Sequence, residues 1–168
     1  MTVRVWDTKT WKCLHHLEGH TEPCLSAALS HDAKWIASAT KSEIWIWASD
    51  TGVRENILKS SGKQIYSVQF SPDATLVASS EHDDLAQICK KDGRIVQTLK
   101  IDTQYEVSAT FSPEGKLIAS ASTDYSVTVW LIGTDHPHRV LQGHVKPVTV
   151  VVFSDDSLMV ASASWDSG

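Results

Sequence analysis

Four residues, Leu29, Phe70, Phe111 and Phe153, recur at separations of 41, 41 and 42, and each is followed by a serine: Ser30, Ser71, Ser112 and Ser154. A second serine stands nine residues after each of the four, at Ser38, Ser79, Ser120 and Ser162, inside the near-copies WIASAT, LVASSE, LIASAS and MVASAS. A third series, Trp6, Trp47, Cys89 and Trp130, ends runs spaced by 41, 42 and 41 residues. Such a register constrains the chain to one solution: a supersecondary unit per period, each packed on the next.

The fullest copy is Tyr105 to His144. Within it EVSATFS and KLIASAS flank Pro113-Glu114-Gly115, SVTVWLI follows Thr123-Asp124-Tyr125, and the weaker run HRVLQ leads to Gly143-His144. Proline presets φ and glycine accepts the left-handed conformation, so the tripeptide reads as a tight turn. Short runs rich in Val, Ile, Thr, Phe and Trp, cut by Pro, Gly and Asp, predict four antiparallel strands. A period near 41 residues built of four short strands is the signature of a β-propeller blade.

Gly19-His20, Gly143-His144, the phrases SPDATLVASS and SPEGKLIASAS, TVRVWD and the period itself resemble the WD40 repeat over essentially the whole chain. GHTEPCLSAALS, QGHVKPVTVVVFS and SASWDSG are also similar in tone to the regular arrays of fungal and bacterial signalling proteins, including those of NACHT-type NTPases of the vegetative-incompatibility class. The expected fold is therefore all-β, a WD40-type propeller of about four blades with four-stranded antiparallel sheets.

By strand text, residues 2–17 supply a third and fourth strand, 18–59, 60–100 and 101–142 supply three whole blades, and 143–168 supply a first and second strand. The two end segments add up to one more blade, and joining SASWDSG to TVRVWD restores a normal repeat. A piece of a larger array, a ring completed by two chains in a homodimer, and a small or open four-blade unit all satisfy this pattern.

The resemblance implies a buried polar chain in each blade: a His before the first strand, a Ser or Thr in the second, an Asp in the next turn and a Trp in the third. A buried polar group must be paired, and a fully satisfied network fixes one packing. The His position holds His20, Ser61, Asp102 and His144, and the turn position holds Ser42, Asp83, Asp124 and Asp166. The network residues are then His20, Ser38 and Trp47; Ser79 and Asp83; Ser120, Asp124 and Trp130; and His144, Ser162 and Asp166, whose Trp must be Trp6 or come from another copy. The same resemblance implies a partner-contact face at Lys41, His82, Thr123 and Trp165, with Glu22, Lys63, Gln104 and Lys146 at the entries to the first strands. Trp165 stands out there, since a large aromatic in a turn offers contact area at low entropy cost.

Other chemistry fits the residues less well. His, Ser and Asp in one repeat invite a catalytic triad, but a triad needs an exposed nucleophile and an oxyanion hole, and this serine lies within an apolar strand. His15-His16, and His136 with His138, lack an obvious third metal ligand. Glu81-His82-Asp83-Asp84 reads as an acidic turn facing solvent, and the eight glycines are scattered at turns with no phosphate loop. Cys13, Cys24 and Cys89 are odd in number and widely spaced, which suits packing residues better than a disulfide or zinc framework. No cofactor or metal is expected.

A net charge of −5 and a pI near 5.9 argue against a nucleic-acid or anionic-membrane binder, either of which would show a basic excess. No run approaches the roughly 18 apolar residues of a membrane span, and MTVRVWDTKTWK lacks the apolar centre of a signal peptide. The expectation is an intracellular protein, cytoplasmic or nuclear. Its leading function is a non-enzymatic protein–protein interaction scaffold with protein partners. The alternative is the ligand-sensing array of a larger NACHT-type signalling NTPase.

Overall fold

The computed structural model describes residues 1–60, 62, 64–81, 85–100, 108–134 and 136–166. Among them every helix and strand assignment is a strand, all pairing antiparallel. Strands β1 (Thr2–Trp6) and β2 (Cys13–Glu18) form a two-stranded sheet. The first complete sheet runs in order β3 (Ser26–Leu29), β4 (Trp35–Ala39), β5 (Glu43–Ala48) and β6 (Arg54–Lys59). The second holds β7 (Ile65–Phe70), β8 (Leu76–Glu81), β9 (Leu85–Lys90) and β10 (Ile95–Lys100), and the third β11 (Ala109–Phe111), β12 (Leu117–Ala121), β13 (Val127–Leu131) and β14 (Pro137–Leu141). A second two-stranded sheet, β15 (Val148–Phe153) and β16 (Val160–Ser164), follows. These are propeller blades in sequential order, three of them whole.

The serine after each anchor explains why the first hairpin of every blade closes where it does. Ser30 Oγ donates to Asp32 Oδ1 at 2.6 Å and accepts from the Trp35 amide at 2.9 Å. Ser71 and Ser154 repeat this with Asp73 and Asp156, and Ser112 accepts from the Leu117 amide at 3.0 Å. Each serine thus substitutes for part of the ladder that the turn interrupts. The turn also demands a left-handed residue, four places after each anchor: Gly115 at φ 71°, but Ala33 at 54°, Ala74 at 57° and Ser157 at 61°. Only the third blade places glycine there, so the other three tolerate a conformation that a Cβ disfavours.

Second and third strands lie between neighbouring sheets, and their text reflects burial on both faces. Ala37, Ser38 and Ala39 are fully covered, as are Ile118, Ala119 and Ser120. The first and second sheets meet through Ala37, Ile44, Ile46 and Leu58 against Ile65, Val68, Val77 and Cys89. The second and third meet through Ala78, Ile88 and Leu99 against Phe111, Ile118 and Trp130. Small residues at alternate positions let two sheets approach, and larger ones opposite fill the gap.

The end segments do not share a sheet. β1–β2 packs on the first sheet, with Leu17, Val3 and Val5 against Ile36, Trp45 and Trp47. β15–β16 packs on the third, with Val148 and Val151 against Ala119, Ala121, Val127 and Val129. β16 therefore lacks the third strand that covers β4, β8 and β12: Ala161, Ser162 and Ala163 are exposed, whereas Ala119, Ser120 and Ala121 are buried.

Candidate functional site

Four polar clusters and one cleft are built on this frame. In the first blade, His20 Nε2 lies 2.7 Å from Ser38 Oγ, and the Trp47 indole donates to the same oxygen at 2.8 Å. His20 is 5% exposed, and its ring stacks 4.1 Å from that of Trp45. Burial lowers its pKa below the ordinary 6.5 more strongly than the Glu43 carboxylate raises it. The imidazole is thus neutral near pH 7, which fits Ser38 accepting from Trp47 while donating its own proton to Nε2. Gly19 makes the approach feasible, because a Cβ there would stand 3.0 Å from the Trp45 ring at φ 121°.

In the third blade, the Trp130 indole donates to Ser120 Oγ at 3.2 Å, and the hydroxyl donates to the Thr128 carbonyl at 3.3 Å. Asp124 turns to its own loop, accepting from the Ser126 hydroxyl at 2.6 Å and the Ser126 amide at 2.9 Å. Burial acts to raise its pKa, but hydrogen bonds from Ser122 and Ser126 outweigh it and hold the carboxyl below the usual 3.8. In the second blade, Cys89 replaces the tryptophan, and the Ser79 hydroxyl donates to Glu81 Oε1 at 3.3 Å. Burial, assisted by the Glu81 carboxylate, pushes the Cys89 thiol up to about 11. Asp83, Ser61 and Asp102 lie outside the described residues.

The last cluster is His144, Ser162 and Asp166. Nδ1 of His144 lies 2.8 Å from Asp166 Oδ2, and Nε2 lies 2.9 Å from Ser162 Oγ. The His144 side chain, then the Val145 amide, hold the Asp166 carboxyl below its usual value. The order of groups is that of a hydrolytic triad. The equivalent position in the first blade, however, shows Ser38 fully buried under Trp47 as a cross-link between strands. Trp6, expected to complete the last cluster, is 52% exposed on β1, because β1 and β16 stand in separate sheets.

The cleft, about 840 Å³, lies along the first strands of the blades. Its wall includes Leu25, Tyr66, Ser108 and Thr149, and Thr123 and Trp165 bring two residues of the expected contact face to it. Trp165 is 70% exposed, yet the turn carrying it is fixed on both sides: Ser164 Oγ donates to the Lys146 carbonyl at 2.9 Å, and Asp166 is tied to His144. Lys41 and Lys146 are exposed, while Glu22 is half-buried and accepts from the Ser42 hydroxyl at 3.2 Å. Lys63, His82 and Gln104 lie outside the described residues. The sequence reading passed over Leu25, Tyr66 and Thr149. All three stand four residues before an anchor, so the repeat register itself was the signal that could have found them.

Among the described residues no group of three or more His, Cys, Asp or Glu side chains is arranged to hold a metal ion. No helix among them is long and apolar enough to cross a membrane, a statement that does not bear on β-barrels.

The family model "WD domain, G-beta repeat" matches residues 11–48, 52–89, 93–130 and 135–168, and the chain belongs to this WD40 family. Each match begins with the outer strand of one blade and continues into the next: residues 11–48 take in β2, then β3, β4 and β5 but not β6. Elongator complex protein 2 of Dictyostelium discoideum is similar at 28% identity over 78 residues, 42% of this chain and 9% of that protein. The chain thus spans under a tenth of that relative's length. Repeats of this family generally act as non-catalytic scaffolds for protein contacts.

Proposed function

We propose that this chain is a non-enzymatic protein-interaction scaffold that takes its partner at the cleft rim formed by Trp165 and Thr123. The observation that carries this reading is Trp165: a large aromatic side chain left exposed at 70% on a turn fixed by hydrogen bonds at the residues on either side. Such a residue loses little conformational freedom on binding, and pre-organised aromatics dominate contact energetics. Leu25, Tyr66 and Thr149 extend the surface along the first strands. The mildly acidic total charge fits a contact recognised by shape and local polarity. The Dictyostelium relative is by its name a component of a complex, which supports membership of an assembly here as well.

An NTPase-linked sensing array would present the same rim, and a NACHT-type domain contiguous with this chain is the observation that would favour it. The scaffold reading is tested by affinity capture from cell extract with wild type, Trp165→Ala and the distant surface variant Lys116→Ala. Proteins held by wild type and Lys116→Ala but released by Trp165→Ala support it. A capture profile indifferent to Trp165 overturns the assignment of the rim.

A further inference from the structure

The outer strands β2, β6 and β10 are bulged at one place in the register. Val5 pairs with His15 and Trp6 with Cys13, Ile46 with Asn56 and Trp47 with Arg54, Ile88 with Gln97 and Cys89 with Ile95. Leu14, Glu55 and Val96 are thus the extra residues, and His15, Asn56 and Gln97 follow them at a spacing of 41. A bulge leaves one residue unpaired and bends its strand, which re-aims the side chain beside it.

All three side chains reach the outer turn of the following blade, where a glycine is left-handed: Gly52 at φ 69°, Gly93 at 90° and Gly133 at 87°. A Cβ on Gly52 would stand 3.0 Å from His15 Nδ1. Asn56 Nδ2 donates to the Lys91 carbonyl at 2.6 Å. Gln97 holds the turn from both ends of its carboxamide. The Gly133 amide donates to Oε1 at 2.8 Å, and Nε2 donates to the carbonyls of Thr134 at 2.5 Å and Leu131 at 3.4 Å.

Reach separates the two amides. Asn56 Oδ1 accepts from the adjacent Ile57 amide at 2.8 Å, so only its nitrogen crosses to the next blade. Gln97 is one methylene longer and spans the gap with oxygen and nitrogen alike. It is also 5% exposed, so its bonds are made away from water and their partners would be stranded without them.

These junctions lie inside the row of blades, and the second blade has the weaker internal lock, with Cys89 where Trp47 and Trp130 stand in its neighbours. In a repeat array each unit touches only its neighbours, so the number of units that open together depends on interface strength relative to the stability of each unit. At the junction of the second and third blades the Gln97 bonds add to the packing of Ala78, Ile88 and Leu99 on Phe111, Ile118 and Trp130.

We infer that the residue after the outer bulge is an inter-blade clamp, and that Gln97 makes the second and third blades open as one cooperative unit. Asn56, with its single crossing bond, ties the first blade to the second more loosely.

Hydrogen exchange of the full chain, resolved by peptide at pH 7.5, tests the clamp. In wild type, β9 and β13 should share one opening equilibrium that differs from that of β5. Gln97→Met keeps the volume and removes the bonds. It should speed exchange about tenfold, the factor expected for the loss of a buried hydrogen bond, at Gly133, Thr134 and throughout β13, leave β3 to β5 unchanged, and separate β9 from β13. Asn56→Gln supplies the longer amide at the other junction without removing a group, and should slow exchange at Gly93 and in β9 severalfold; this arm stands even if Gln97→Met does not fold. Acceleration confined to Gly133 and Thr134, equal acceleration in every blade, no change in Gln97→Met, or unchanged or faster exchange of β9 in Asn56→Gln would each overturn the inference.

Discussion

The Trp47 indole donates to Ser38 Oγ at 2.8 Å across the second and third strands of the first blade, while His20 approaches the same oxygen at 2.7 Å. Trp130 and Ser120 repeat the pair at 3.2 Å, without a described histidine. One hydroxyl therefore serves two rings in the first blade and one in the third. Ser38→Ala strands two buried polar groups and is expected to cost about 2–3 kcal/mol, against about 1–2 kcal/mol for Ser120→Ala. Urea unfolding of the two variants gives the order directly, and a larger loss from Ser120→Ala would contradict it.

The protonation state of His20 gives stability a pH dependence. Its folded pKa lies below the ordinary 6.5, chiefly through burial, so the unfolded chain binds a proton first as pH falls. The contribution of neutral His20 is complete above pH 6.5 and is lost as pH drops from there through the folded value. The Asp166 carboxyl, held low first by His144, adds a separate loss only as pH falls below 3.8. Melting temperatures between pH 7.5 and 5 should fall for wild type and flatten for His20→Gln. An equal slope in both would remove His20 as the cause.

Ala33 occupies the position where the third blade has Gly115, at φ 54° on an exposed turn. A Cβ in this region costs about 1–2 kcal/mol, and glycine gives back part of that gain through unfolded-chain entropy. Ala33→Gly should raise stability by about 0.5–1 kcal/mol in chemical denaturation. A loss on the same measurement would mean that the turn is not strained.

Cys89 is buried and its thiol is pushed up to about 11, whereas Cys13 is only half-buried. At pH 7.5 iodoacetamide should leave Cys89 unmodified in the folded protein and label it in urea, as mass mapping of peptides would show. Prompt labelling of Cys89 without denaturant would contradict its placement between the first and second sheets.

Much of this architecture was legible because the repeat registers its own strands. The serines after Leu29, Phe70, Phe111 and Phe153 mark hairpin turns, and WIASA and LIASA announce strands buried on both faces. The left-handed conformation at Ala33, Ala74 and Ser157 was not legible, since alanine and serine carry no preference for it and only Gly115 signals the turn. The second blade diverged for a related reason. With Cys89 in place of tryptophan, Ser79 turns to the buried Glu81, a carboxylate that the text presented as part of a solvent-facing acidic turn. In the cleft, Trp165 announced itself by size, whereas Leu25 and Tyr66 gain their meaning only when the first strands are set side by side.

Trp165 is also where the functional account is most exposed to test. The decisive measurement is the dissociation constant of a captured partner for wild type and Trp165→Ala by titration calorimetry, alongside the melting temperature of each. The account predicts at least tenfold weaker binding, about 1.4 kcal/mol or more, at an unchanged melting temperature. Equal affinity, or a loss that follows a drop in stability, would contradict it.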